Sequence, residues 1–407
     1  MQITKWITAP LFSLALSALT LSTFAAPATQ TVIAPQCLIT QAGISPRIVA
    51  SNAAFAMITA DKITINALSE AKHQTKNPCG GFTDVTADWQ DHQAKPHLTS
   101  DAKSFLEAMT IPRKKISAVK KSYSIRYEKE ANQLIKQLNP SLMWSNLTKF
   151  SSHQDRYADS DDGVAAAKWL GKQVEDIAEK AGLDNVTVYF VETKNYKQPS
   201  VVAKFGDSNE PGVVIGAHMD TTSSYFERKP GADDDGSGSM TVLESARTIM
   251  SSGMTFKKPI YFVWYSAEEE GLIGSQHVVK DFKKKNIPVD AVMHFDMTGY
   301  AHKNEPTIWL IDDNVDDGLT AFLEKIVKTY TLRPVKYTRC GYACSDHASW
   351  SHAGYKAVIP AEARYEDTNP TMHSSADTID NLSITHMTDY AKIATAFAVE
   401  LAEPTAS

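Results

Sequence analysis

An excess of basic charge is missing from this 407-residue sequence: 41 Lys and Arg face 47 Asp and Glu, for a formal net charge of -6. Such a chain offers no positive footprint to nucleic acid or to an anionic membrane surface, and neither is expected as a partner. Long hydrophobic runs are missing too. After the first 21 residues no stretch approaches the ~18 to 20 continuous apolar residues of a membrane-spanning helix, so the processed protein is expected to be soluble. There is no internal repeat and no low-complexity block. What is present is apolar content of 43%, ample for one or two packed cores and too high for a disordered chain.

Lys5 precedes a mostly apolar stretch at 9–21, and small residues follow at Ala25, Ala26 and Ala28. That order is the order of a secretory signal peptide, taken as residues 1–26, and it implies export. Cysteine is scarce, with four in all, and in an exported chain disulfides are favoured. Three connectivities are possible; the domain division favours the distant pair Cys37 and Cys79 and the close pair Cys340 and Cys344. Residues 27–125 hold none of the acid and imidazole clusters found later, and the charged stretch 113–121 is one that a processing protease could reach. The reading is a small propeptide domain followed by a catalytic domain at 126–407, with a permanent accessory domain as the alternative.

From about residue 130 helical and strand signals alternate. Leu170, Val174, Ile177 and Ala181 have helical spacing, and Val186, Val188 and Phe190 then alternate as strand residues do. Residues 213–215 and 260–264 are short continuous apolar runs, which suits strands covered on both faces of a largely parallel sheet. Between them Val242, Leu243, Ala246, Ile249 and Met250 form a helical stripe. Further strands are expected at 291–295, 308–311 and 357–359, and further helices near 319–330 and 386–401. The fold class is α/β, a mostly parallel mixed sheet sandwiched by helices.

Acidic and imidazole groups fall at the ends of those strands. His218 and Asp220 follow one apolar run, Glu268, Glu269 and Glu270 follow the next, and Asp296 closes a third. Asp233, Asp234 and Asp235 precede a helix, and His373 lies in a late polar loop. Ligands of open α/β sheets bind beyond the carboxyl ends of the strands, so these side chains can converge. Two imidazoles and at least three carboxylates at one sheet edge are the ligand set of a two-metal hydrolytic site. Their nitrogen and oxygen donors suit zinc and would also accept cobalt or manganese. Such a site makes a water molecule acidic and needs one more carboxylate to carry its proton to a leaving amine. Taken singly, each piece is explained as well by a hydrogen-bonded polar pair or a solvated turn. The aspartate triplet lacks the alternating ligands and later Glu of a calcium loop. His277, His294, His347 and His352 have no comparable setting and read as ordinary polar or core residues.

Six segments carry a resemblance. They are Gly-Ala-His-Met-Asp at 216–220, Pro-Gly-Ala-Asp-Asp-Asp at 230–235, Ser-Ala-Glu-Glu at 266–269, Asp-Met-Thr at 296–298, Cys-Gly-Tyr-Ala-Cys-Ser-Asp-His-Ala-Ser-Trp at 340–350, and Asn369-Pro370 with His373. In this order they resemble the M28 family of metallopeptidases, especially the secreted bacterial leucyl aminopeptidases, over roughly residues 130 to 403. The resemblance implies a zinc-dependent exopeptidase fold and hydrolysis of the N-terminal peptide bond after Leu, with Phe, Tyr and Met also accepted. It implies two zinc ions bridged by Asp234, with Glu269 and His373 on one and His218 and Asp296 on the other. Glu268 would be the general base, and Asp220 would orient His218. A cis peptide is implied between Asp234 and Asp235, and a side-chain pocket at Met297, Ile311, Tyr342, Ile359, Tyr365 and Met372. Ala361 and Thr368 stand where similar enzymes carry aromatic residues, which predicts a wider pocket.

Spacing alone leaves the register of Glu268, Glu269 and Glu270 open; the preceding Ala267 and the following Gly271 and Leu272 decide the assignment. Implied partners are peptides with a free N-terminus and a processing protease, for a monomer released extracellularly after periplasmic transit. Three alternatives remain: glutaminyl cyclisation with a single zinc on a related fold, a non-catalytic binding domain on the same fold, and a carboxypeptidase of the family. The complete double ligand set disfavours the first two.

Overall fold

The computed structural model describes residues 29–72, 79–95, 101–110, 123–225 and 227–405. The expected signal peptide and the 113–121 stretch lie outside the described residues.

Near the N-terminus, strands Gln30–Pro35 (β1), Arg47–Ser51 (β2), Phe55–Ala60 (β3) and Thr83–Asp84 (β4) form an antiparallel sheet in the order β2-β3-β1-β4. Alternation along β1 sends Val32 and Ala34 to a cluster with Leu38, Ile65 and Leu68, and Ile33 to another with Met57, Trp89 and Phe105. The helix Lys62–Ala71 packs on this sheet; the Asp61 carboxylate caps it by accepting the Thr64 N–H. Its last turn delivers Lys72 toward the rest of the molecule. Cys37 is bonded to Cys79, and Cys340 to Cys344.

The larger body adds strands Val186–Val191 (β5), Ser200–Phe205 (β6), Gly212–His218 (β7), Ile260–Tyr265 (β8), Val289–Phe295 (β9), Ile308–Ile311 (β10), Val335–Thr338 (β11), Ala357–Val358 (β12) and Pro360–Ala361 (β13). A six-stranded sheet has the order β12-β9-β7-β8-β6-β5, parallel from β12 to β8 and antiparallel beyond. A smaller sheet runs β11-β10-β13. Every residue of β7 and β8 is buried, because helices cover both faces. Leu170, Val174, Val242, Leu243 and Phe397 pack on one side and Val278, Phe282 and Trp350 on the other. This is the expected α/β sandwich with a mostly parallel mixed sheet.

The two parts meet at the turn after β8. The Asp84 N–H donates to the Gly271 carbonyl at 3.0 Å, and the Gln276 amide donates back to the Asp84 carbonyl at 3.0 Å. The Ser69 hydroxyl donates to the Glu269 carbonyl. The small sheet is therefore fastened to the same turn that carries the paired glutamates.

Candidate metal centre and substrate pocket

Parallel strands β7, β8 and β9 all point their carboxyl ends to one edge, which brings His218, the glutamate turn and Asp296 together. Ala267, Met297 and His373 hold left-handed φ values of 53°, 57° and 58°. Non-glycine residues adopt that conformation when their surroundings impose it, and here all three flank or belong to the cluster of acids. The Asp234–Asp235 peptide is cis, as the resemblance implies.

Two groups of three donors result, His218 with Asp234 and Asp296, and Asp234 with Glu269 and His373, each set within 4.8 Å. Asp234 belongs to both. His218 Nε2 lies 3.1 Å from Asp234 and 3.6 Å from Asp296, and His373 Nε2 lies 3.0 Å from both Asp234 and Glu269. His373 Nδ1 faces the Ser69 carbonyl at 3.0 Å. A carbonyl only accepts, so Nδ1 carries a proton and Nε2 is the nitrogen that faces the two carboxylates.

Neither ring nitrogen of His218, nor Oε1 of Glu269, makes a hydrogen bond among the described residues, although all three are buried. Buried polar atoms left this way are costly, and a cation between imidazole and carboxylate satisfies both. The charge balance points the same way. Burial opposes a charge on His218, yet Asp220, Asp234 and Asp296 outweigh it and hold its pKa well above the usual range. His373 is pushed to about 10 against burial, by Glu269 and Asp234. An edge this rich in buried carboxylates calls for positive charge, and its donor set fits zinc.

The acid triplet divides by position. Glu269 belongs to the donor cluster, Glu268 lines the adjoining cavity, and Glu270 does neither. Burial raises the Glu268 pKa well above the carboxylate range, against the opposing pull of Lys72 and His218. Asp220 stands 3.6 Å from His218 Nδ1. Its two carboxylate oxygens also accept the N–H groups of Glu268 and Glu269, at 3.1 and 3.2 Å, so one side chain orders both strand ends.

Met297, Ile311, Tyr342, Ile359, Tyr365 and Met372 all line the cavity beside the acids, and so do Ala361 and Thr368. Its volume is about 60 Å³, room for a few water molecules. Part of the remainder is filled by a residue that sequence reasoning missed. Lys72 projects from the small N-terminal sheet to within 3.2 Å of Glu268 and 3.5 Å of Glu269. Asp377 was missed as well; its carboxylate accepts the Asp233 and Asp234 N–H groups at 3.0 and 3.1 Å and so anchors the backbone of the residue common to both groups. Neither residue has a local signal, since each acts on partners far away in sequence. His294 and His347 stack on each other and stay outside both donor groups.

Comparison with known proteins gives a consistent answer. The family model described as Peptidase family M28 matches residues 200–398. Leucine aminopeptidase 1 of Chaetomium globosum is 39% identical, over 73% of this chain and 75% of its own. Among solved structures, the LapA aminopeptidase of Legionella pneumophila is similar with a TM-score of 0.84 and 40% identity, covering 93% of this chain and 99% of that one. LapB from the same organism follows with a TM-score of 0.83 and 38% identity, over 92% of this chain and 100% of that one.

Proposed function

This chain belongs to peptidase family M28 and is a zinc metallo-aminopeptidase; on that premise we propose that it uses two zinc ions and Glu268 to release apolar residues, leucine foremost, from free peptide N-termini. The observation that carries the reading is the pair of three-donor groups sharing Asp234. His218 and Asp296 would hold one ion, Glu269 and His373 the other, with Asp234 between them. Ions held there would acidify a water molecule and polarise the scissile carbonyl. Glu268 takes up that water's proton and returns it to the leaving amine. Burial raises the pKa of this carboxyl, which favours its taking up that proton.

The apolar pocket receives the side chain of the first residue. The relatives named leucine aminopeptidase support leucine, and the small Ala361 and Thr368 in the lining leave room for Phe, Tyr and Met. Residues 1–26 direct export, and the two disulfides suit an oxidising compartment. Residues 27–125 act as a propeptide that covers the site until a protease removes it. Lys72 supports this, because its ammonium stands against Glu268 where a substrate would have to lie.

The test is hydrolysis of leucine-p-nitroanilide by the processed protein, before and after chelation and zinc readdition, with metal counted in the same samples. Zinc-dependent release with two ions per chain supports the reading, and N-acetylated leucine substrates stay intact. Fully metallated protein that leaves unblocked substrates untouched overturns it, and a single bound zinc would favour cyclisation of N-terminal glutamine.

A further inference from the structure

Arg156 lies in the loop before the helix Asp161–Ala181 and is fully buried. Its guanidinium makes no ion pair among the described residues. Instead it donates three hydrogen bonds to main-chain carbonyls: Nε to Met219 at 2.8 Å, Nη1 to Pro230 at 2.6 Å and Nη2 to Gly231 at 2.7 Å. Met219 sits between His218 and Asp220, and Gly231 lies three residues before Asp234. One planar fork thus joins the loop carrying one metal-binding imidazole to the loop carrying the shared carboxylate. The Arg156 N–H donates to Thr221 Oγ1 at 2.9 Å, its carbonyl accepts from the Gln198 amide at 3.3 Å, and the guanidinium stacks on Phe150 at 4.4 Å. The whole residue is held from every side.

A buried cation without a paired anion is a poor way to gain stability, since an apolar side chain would avoid the desolvation cost. What a guanidinium supplies is a rigid donor geometry that spaces its acceptors. The two loops come so close here that Gly231 admits no side chain: a Cβ there would stand 2.3 Å from Thr221 Cγ2 and 2.8 Å from Arg156 Nη2. Gly231 also holds a left-handed φ of 51°. The carboxylates of Asp377, Asp235, Asp220 and Asp234 surround the cation at longer range, so it also offsets part of their mutual repulsion.

We infer that Arg156 is a positioning residue that sets the separation of His218 from Asp234 and thereby tunes metal affinity at that cluster. The inference rests on the two-zinc reading above. The experiment uses the full chain as wild type, Arg156→Lys, Arg156→Met and Leu170→Ala, the last a core variant outside both donor groups that controls for a general loss of stability. Zinc affinity is measured by chelator competition, and the cobalt-substituted proteins are compared by visible absorption. Both Arg156 variants are expected to bind zinc about 10- to 100-fold more weakly at one of the two sites and to change the cobalt spectrum. Leu170→Ala keeps the wild-type spectrum. Should Arg156→Met fail to fold, Arg156→Lys decides, because it keeps the charge and loses the fork.

Wild-type affinity and spectrum in Arg156→Lys, with only its melting temperature lowered, overturn the inference. The wild-type metal count separates this from failure of the underlying reading: a single ion per chain removes the two-zinc site itself, whatever the variants do.

Discussion

The small N-terminal sheet and the large body bury their strands to different extents. Every residue of β7 and β8 is buried, whereas the small sheet is well buried along β1 and β3 but has no buried residue in its edge strand β2. The body therefore has a sheet covered on both faces. The N-terminal part has a smaller sheet with only a small apolar cluster on each face, closed by Cys37–Cys79 and fastened to the body at the glutamate turn. Chemistry divides along the same line. Every donor of the metal centre comes from the body, and the N-terminal part contributes one cation, Lys72, facing the residue proposed as the base. A larger part that holds the candidate ligands and a smaller part that sets a cation against one of the acids is the division expected if, as proposed, the smaller part is a removable cover.

The division is broken most directly at Glu268. In the freed body, Glu268→Gln is expected to lower kcat/KM by about 10² to 10⁴-fold, the scale of general acid–base catalysis, with zinc content unchanged. Loss of activity together with loss of metal would make Glu268 a ligand and move the base elsewhere. The next effect concerns stability. Cys37 and Cys79 are separated by 42 residues in sequence and Cys340 and Cys344 by 4. Loop-closure entropy then assigns about 4 kcal/mol to the first bridge and about 2 kcal/mol to the second. Cys37→Ser with Cys79→Ser should strip amide-exchange protection from β1 to β4 while the body melts as before. If the body's melting falls equally, the two parts are one cooperative unit and the contrast fails.

How much of this was readable beforehand follows from the same contrast. Strands covered on both faces leave continuous apolar runs, so 213–215 and 260–264 announced β7 and β8 directly. Their carboxyl ends then identified His218, Glu269 and Asp296 as candidates, and the resemblance supplied the pairing that spacing could not. The small sheet carries such a run over β3, at 53–58, but β2 is short and mixed, and the sequence reading placed no strand in either. Lys72 and Arg156 were invisible for another reason. Lys72 reaches a partner 196 residues away, and Arg156 reaches carbonyls 63 to 75 residues away. No local pattern encodes contacts of that range, only the finished fold does.

Acid separates the two parts by titration. Burial lowers the pKa of both His347 and His386 from the usual 6.5 to about 4, and both belong to the body. A histidine held neutral in the fold takes up its proton on unfolding. The stability it contributes is therefore complete above about pH 6.5 and is lost as pH falls toward 4. Between pH 7 and pH 5 each should cost the body about 2 kcal/mol, seen as a lower melting temperature for the freed body. His386→Phe should remove its own share of that pH dependence, about 2 kcal/mol between pH 7 and pH 5, whatever it does to the absolute stability. A melting temperature flat across this range would mean that the two rings titrate in the folded protein.

The mildest change tests the cover itself. Lys72→Met keeps the length of the side chain and leaves the Ser69 and Asp84 contacts in place, so the N-terminal sheet should still dock. It removes only the ammonium beside Glu268 and Glu269. A hydrogen-bonded contact with a charged partner is worth about 1.5 to 3 kcal/mol, of which reorganisation of the site recovers a part. Unprocessed Lys72→Met is therefore expected to hydrolyse leucine-p-nitroanilide about 10-fold faster than unprocessed wild type and still slower than the freed body. Equal rates in the two unprocessed proteins would mean that the cover works by bulk, with the lysine incidental. Unprocessed wild type already as fast as the freed body would mean that the small sheet is a permanent part of the enzyme and that Lys72 moves aside when substrate arrives.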